Sequence, residues 1–457
     1  NGLLPCGLVY AAAIGSTALF NTLLNLRMAG SAAGQSIGGG NDYKALVCLF
    51  LAGGNDSFNL LVPRGATEYA EYAAVRRDLA LPQAQLLPLN PINSIGKQLG
   101  AHPQMPEVQG LFEAGKLAYV ANVGTLVERI TKQQYENETV PVPLGLYSHA
   151  DQIQQWQTSI PDRATPIGWG GRTADLLYSL NQNQSISMNI SISGSNVWQA
   201  GNQVVEYSIT PWGSIGLDGY EGTWNYNHVR GAAIDSQLDL EYRNLFEKTF
   251  AQKGRGAIDA HYQFMGAINA VPAIATPFPA DSWLGENLKM VARTIAARSL
   301  LNVRRQTFFV MIGGWDHHDN VIDNQQVMLA DVSASLGAFY NALVEIGAQD
   351  NVTLFTASDF GRTLTSNGAG SDHAWGGNHL VMGGAVQGRR VLGQYPDLYE
   401  DNPLDTGRGR LIPTTSVDEY FADLALWLGV DKSNLPVVLP NIERFYNLQS
   451  SSPPMGL

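Results

Sequence analysis

The chain has 457 residues, of which 45% are hydrophobic and only 15% charged, so it can bury a large core and is globular rather than disordered. Its 28 basic residues against 40 acidic ones give a net charge of −12, with no cluster of Lys and Arg. That composition argues against nucleic acid as a partner, because neutralising phosphates takes a concentrated basic surface.

Residues 2–26 carry no charge, are rich in Ala, Leu and Gly, and are followed by Arg27 and a small-residue stretch over 29–40. This reads as the apolar part of an export signal or a retained membrane anchor; an ordinary buried helix is the alternative. A helix over residues 3–26 would pack on a protein partner or enter a membrane, since an uncharged face is poorly tolerated in water. Cys6 and Cys48 could pair in an oxidising compartment or be two small buried hydrophobes.

Three apolar runs, residues 45–52, 307–312 and 352–357, end abruptly in Gly and acids. They lead into Gly53-Gly54-Asn55-Asp56, Gly313-Gly314-Trp315-Asp316-His317-His318 and Ser358-Asp359-Phe360-Gly361-Arg362-Thr363. A fourth polar cluster, Ser371-Asp372-His373, instead precedes its apolar run at 380–382. Short, uniformly apolar strands belong in a parallel sheet covered on both faces, and ligands bind beyond the carboxyl ends of such strands. Helices are expected near 68–77, 106–114, 235–252, 284–301 and 327–346, and a further buried strand over 117–122. Residues 185–193 alternate Ile and Met with Ser and Asn, the pattern of a half-exposed strand. The reading is one α/β domain over 44–448 with a doubly wound, mostly parallel sheet, and an insertion near 185–235 rich in Trp, Tyr, Gly and Asn.

The strand-end residues carry the chemistry. Asp and His oxygens and nitrogens suit zinc, manganese or iron. Residues i and i+2 of an extended segment share a direction, so Asp316 and His318 pair and His317 points away. Asp372 and His373 add a second carboxylate and imidazole. Asp56 and Asp359 are metal ligands or, equally, helix N-caps. Arg362 is an anion clamp or a structural partner for one of these acids. Ser148, beside His149, lies in no Gly-x-Ser-x-Gly elbow.

Taken together, Leu51-Ala52-Gly53-Gly54-Asn55-Asp56, Ser148-His149, Gly314-Trp315-Asp316-His317-His318, Ser358-Asp359-Phe360-Gly361-Arg362-Thr363 and Ser371-Asp372-His373 resemble the exported bacterial family called domain of unknown function 1501. The resemblance implies a twin-arginine export signal, with residues 3–26 as its apolar part and the arginine pair upstream, and an alkaline-phosphatase-like fold. It also implies a divalent metal (zinc, manganese or calcium) on the sheet rim. Asp316, His318 and His373 would hold one ion, Asp56 and Asp359 a second, and Ser148 would be the nucleophile with Arg362 facing the anion. Phe360 stands where the related phosphatases and sulfatases carry a His, which weakens the second site. His317 replaces a usual Thr, and Asp359 a usual Glu. The expectation is an exported metal-dependent hydrolase of phosphate or sulfate esters, periplasmic, envelope-associated or extracellular. The alternative is a non-catalytic envelope or surface assembly protein on a degenerate hydrolase fold, forming homo- or hetero-oligomers.

Overall fold

A computed structural model describes residues 42–222 and 226–457. The apolar segment over residues 3–26, Cys6 and part of the aromatic stretch before Tyr226 lie outside the described residues.

Strand β1 (Lys44–Leu51) leads into α1 (Ala66–Arg76), α2 (Pro106–Glu113) and β2 (Leu117–Gly124). Then come α3 (His149–Thr158), α4 (Trp169–Leu177) and the short strands β3 (Asn189–Ser191) and β4 (Tyr207–Ser208). The helices α5 (Asn227–Leu238), α6 (Leu245–Ala270) and α7 (Trp283–Ala296) return the chain to β5 (Arg305–Ile312). After α8 (Val321–Glu345) follow β6 (Val352–Ser358), β7 (Gly377–Gly383), β8 (Val391–Leu392), β9 (Thr415–Ser416) and α9 (Val417–Leu428).

These strands form one nine-stranded sheet in the order β8-β2-β7-β6-β1-β5-β3-β4, with β9 beside β2. The α/β class expected from the sequence is what the structure shows, as a mixed sheet flanked by helices. β1 pairs in parallel with both β5 and β6, so its alternate side chains enter opposite cores. Val47, Leu49 and Leu51 pack with Leu336 and Phe339 of α8; Leu46, Cys48 and Phe50 pack with Trp169, Trp198 and Phe421. Cys48 is a free, buried thiol in the second of these cores.

β7 is the exception to the parallel sheet, antiparallel to both β2 and β6. A reversed strand begins at the rim where its parallel neighbours end. The polar loop before β7 therefore reaches the same rim as the loops after β1, β5 and β6.

Two local expectations need correction. The alternating stretch at 185–193 is half-exposed only at its ends: Ile186, Met188, Ile190 and Ile192 are buried, Ser185 is exposed and Ser187 and Ser193 partly so, but Asn189 and Ser191 are buried. Asn189 can be buried because it is satisfied: its Nδ2 donates to the Gln199 carbonyl at 2.8 Å, and its Oδ1 accepts from Thr307 Oγ1 at 2.8 Å. The helix expected over 235–252 is broken. α5 stops at Leu238, and Asn244 starts α6 by accepting the Phe246 and Glu247 amides on its side chain.

Candidate metal centre

The loop after β5 alternates as an extended segment does. Trp315 and His317 are buried, whereas the side chains of Asp316 and His318 are 45% and 46% exposed. Burial pushes the His317 imidazole pKa down, with the Gly314 backbone and the charge of Asp56 pulling the other way. The loop before β7 runs back along residues 359–363. The Gly361 amide donates to the Trp375 carbonyl, the Ala374 amide donates to the Gly361 carbonyl, and Arg362 and His373 form an antiparallel bridge. His149 opens α3 directly after Ser148, and the preceding Tyr147 holds a left-handed φ of 74° that a bulky side chain adopts only under constraint.

Three imidazoles converge on one carboxylate. His318 Nε2 lies 3.0 Å and His373 Nε2 3.3 Å from Asp316 Oδ1, and His149 Nε2 lies 3.5 Å from Asp316 Oδ2. His318 Nε2 and His373 Nε2 are 3.0 Å apart. The opposite nitrogen of each ring is engaged. His149 Nδ1 meets Asp359 Oδ2 at 2.6 Å, His318 Nδ1 meets Asp372 Oδ1 at 3.0 Å, and His373 Nδ1 meets the Tyr147 carbonyl at 2.8 Å. Those partners are acceptors, so each neutral ring carries its proton on Nδ1 and presents an Nε2 lone pair to Asp316.

Lone pairs and a carboxylate at such distances repel unless a cation lies among them. The ligand atoms of His149, Asp316 and His373 fall within 4.8 Å of one another, close enough to share one ion. Three imidazoles and one carboxylate, each imidazole backed by an acceptor, make a donor set and outer shell that fit zinc.

The electrostatics agree. Burial raises the Asp316 carboxyl, but the hydrogen bond and charge of Arg362 outweigh it and hold the pKa below the ordinary value. Asp372 is held at about 2: burial is overcome by hydrogen bonds from Asn367, Arg408 and His318. Burial lowers the His373 pKa and so favours the neutral, ligating ring.

Three expected residues have other partners. Asp56 is fully buried; its Oδ2 accepts from Arg76 Nη2 at 2.8 Å and from Ser371 Oγ at 2.7 Å. A carboxylate so paired is a structural ion pair, and it is not among the atoms that converge on Asp316. Asp359 accepts the Gly53 amide at 3.0 Å and grips His149, one step behind the converging atoms. Arg362 is also fully buried. Its Nε donates to Gly54 O at 2.8 Å, Nη1 to Ser371 O at 2.8 Å, and Nη2 to Gly53 O at 2.5 Å and to Asp316 Oδ1. With those donors engaged, it positions Asp316 and is not an anion clamp.

Asp316, His318 and His373 are brought together as the sequence suggests. His149 joins the cluster; with His379 it is one of the two imidazoles near these motifs that could stand in for the ligand lacking at Phe360. Ser148 is the N-cap of α3, partly exposed and making no side-chain cap bond. Phe360, in place of an imidazole, lies against the cluster with its ring centre 4.9 Å from His149 and 4.5 Å from His373.

Residues 247–435 match a family described as "Protein of unknown function (DUF1501)". That region holds Asp316, His318, Asp359, Arg362 and His373, whereas Asp56, Ser148 and His149 lie before it. No curated protein matches the chain. Among solved structures the chain is similar to the lipoteichoic acid synthase LtaP from Listeria monocytogenes (9% identity, 86% of this chain and 73% of that one, TM-score 0.34). It is also similar to the soluble domain of lipooligosaccharide phosphoethanolamine transferase A from Neisseria meningitidis (9%, 88% and 94%, TM-score 0.35). A mutant of alkaline phosphatase PafA is a third (12%, 70% and 63%, TM-score 0.23).

Proposed function

We propose that the protein is a metal-dependent hydrolase of phosphate or sulfate esters that works with one metal ion outside the cytoplasm. The observation that carries this reading is the convergence of the Nε2 atoms of His149, His318 and His373 on a single carboxylate, while an acceptor lies against every Nδ1. Asp316 and the three imidazoles would hold the ion. Zinc fits this nitrogen-rich set best, manganese less well, and calcium poorly, because calcium takes oxygen ligands. When bound, such an ion polarises an ester oxygen and lowers the pKa of a hydroxyl or water.

The chain's own groups do the rest. Arg362 fixes Asp316 from behind, Asp359 fixes His149, and Asp372 fixes His318. Ser148 presents a hydroxyl one residue from His149 at the N-terminal end of α3, where the helix dipole favours negative charge. The absence of charge over residues 2–26 supports export and a membrane or protein partner for that segment.

Zinc titration of the purified protein tests the reading. The expected result is one ion per chain, lost in His318→Ala, together with slow zinc-dependent hydrolysis of aryl phosphate or sulfate esters. Ser148→Ala should keep the zinc and lose turnover. Two tightly held ions per chain, or none, would overturn the proposal.

A non-catalytic assembly role is the second reading. It is favoured by a run of exposed apolar side chains, Trp212, Leu245, Phe246 and Phe250, each more than 70% exposed. A stable oligomer that binds no zinc would support it.

A further inference from the structure

The loop beside the histidine cluster carries two arginines, of which the metal-centre reading uses only the contact of Arg408 with Asp372. Residues 405–411 read Asp-Thr-Gly-Arg-Gly-Arg-Leu, and an antiparallel bridge joins Asp405 to Leu411. Inside the loop, Asp405 Oδ1 accepts the Gly407 and Gly409 amides, both at 2.8 Å. Gly407, Arg408 and Gly409 have φ of 109°, 62° and 71°. The glycines adopt such values freely, but Arg408 has a Cβ and does so under strain. The loop thus holds an arginine in a conformation that glycine or asparagine would take more easily.

Both arginines contact residues that hold or belong to the cluster. Arg408 Nη2 donates to Asp372 Oδ2 at 2.6 Å, and the other oxygen of Asp372 holds His318. Arg410 Nε donates to the His373 carbonyl at 3.0 Å. The Arg410 guanidinium lies 5.0 Å from the centre of the Tyr147 ring, whose backbone carbonyl holds His373 Nδ1. Among the described residues, the Arg410 Nη atoms take part in no hydrogen bond or ion pair. Arg408 makes one ion pair, with its side chain 46% exposed, so the pair is easily exchanged. Arg362, by contrast, is buried and engaged.

We propose that the loop over residues 405–411 is an anion-binding subsite, in which Arg408 and Arg410 hold the outer oxygens of a phosphate or sulfate group facing the imidazole cluster. Two guanidinium forks separated by one glycine suit a tetrahedral oxyanion, which accepts paired hydrogen bonds. Arg408 is parked on Asp372 and turns to the anion when one arrives. The proposal rests on the hydrolase reading for the direction the anion faces, and it needs no turnover.

Calorimetric titration of the full chain with inorganic phosphate, and separately with sulfate, tests it, each with and without zinc; acetate is the control. Saturable binding of phosphate or sulfate is expected, weakened about tenfold or more in Arg408→Gln and again in Arg410→Gln. Zinc affinity should stay within a few-fold in Arg410→Gln, which shows that the fold and the cluster are intact. Whichever of phosphate and sulfate binds more tightly names the ester class. A protein that holds zinc, but whose anion affinity ignores both substitutions, would overturn this inference and leave the hydrolase reading standing. Arginine-dependent anion binding without any zinc site would overturn the hydrolase reading and keep the subsite. Acetate binding as tightly as phosphate and sulfate would remove the tetrahedral oxyanion from the proposal.

Discussion

His149 Nδ1 sits 2.6 Å from Asp359 Oδ2, and that contact decides which nitrogen of the ring faces Asp316. Asp359 is 1% exposed, so little water competes for the bond. Burial raises its carboxyl pKa, while the Gly53 amide and His149 pull it back down. Asp359→Asn should therefore weaken zinc binding about 10–100-fold, the usual effect of removing a carboxylate behind a ligating histidine. Zinc titration measures this, and an unchanged affinity would place His149 outside the site.

Arg362 should behave as a structural residue. It joins the carbonyls of Gly53, Gly54 and Ser371 to Asp316 from a fully buried position. Arg362→Leu leaves those acceptors unpaired and is expected to lose about 3–5 kcal/mol in urea unfolding. A variant of full stability that shows only a raised KM would return Arg362 to the role of substrate clamp.

Gly53 is where β1 hands over to the site. Its φ is +124°, and a Cβ there would lie 2.5 Å from the Asp316 amide nitrogen. Gly53→Ala should cost roughly 1–3 kcal/mol and weaken zinc binding, because the backbone that must yield carries Asp316. Gly256, inside α6 with nothing within 4 Å of an added Cβ, is the control: Gly256→Ala should stabilise by up to about 1 kcal/mol.

Acid should unfold the protein partly through His379. It is 5% exposed and tilted against the rings of Trp156 and Tyr420, and burial lowers its pKa to about 3. The unfolded chain takes up that proton near pH 6.5, so between those values the unfolded state binds more protons and stability rises with pH. The contribution is fully present above about pH 6.5 and is lost on acidification towards the folded pKa. His102, lowered to about 4 by burial, has the same sign. His379→Leu should flatten the acid limb by up to about 1.4 kcal/mol per pH unit, read from urea midpoints between pH 4 and 6.

The rim was legible because a short apolar run followed by glycine and an acid is a strong local pattern. Asp316 and His318 could be paired, and His317 set apart, from the two-residue period alone, and the structure keeps that division. The partners of Asp56 were not legible. Its ion pair with Arg76 depends on how α1 folds back, and no local spacing announces that. Arg362 offered two readings in the sequence, and only its burial and carbonyl partners separate them. His149 could be offered only as a stand-in for the ligand lacking at Phe360, since residues 125–172 show no period that places α3 against the rim. The buried Asn189 and Ser191 looked solvent-facing because a sequence pattern registers polarity and not the partners that satisfy it.

The single reversed strand has a kinetic consequence. His149 and Asp359 are separated by 210 residues, and Tyr147 and His373 by 226, so the cluster closes only after distant segments have joined one sheet. Contacts of such long range form slowly, because the chain must lose its loop entropy before they reward it. An ion that needs all four side chains would find no preformed site on a nascent or partly folded chain. It would bind last, as a clasp fastened on a finished molecule, and would slow unfolding far more than it speeds folding.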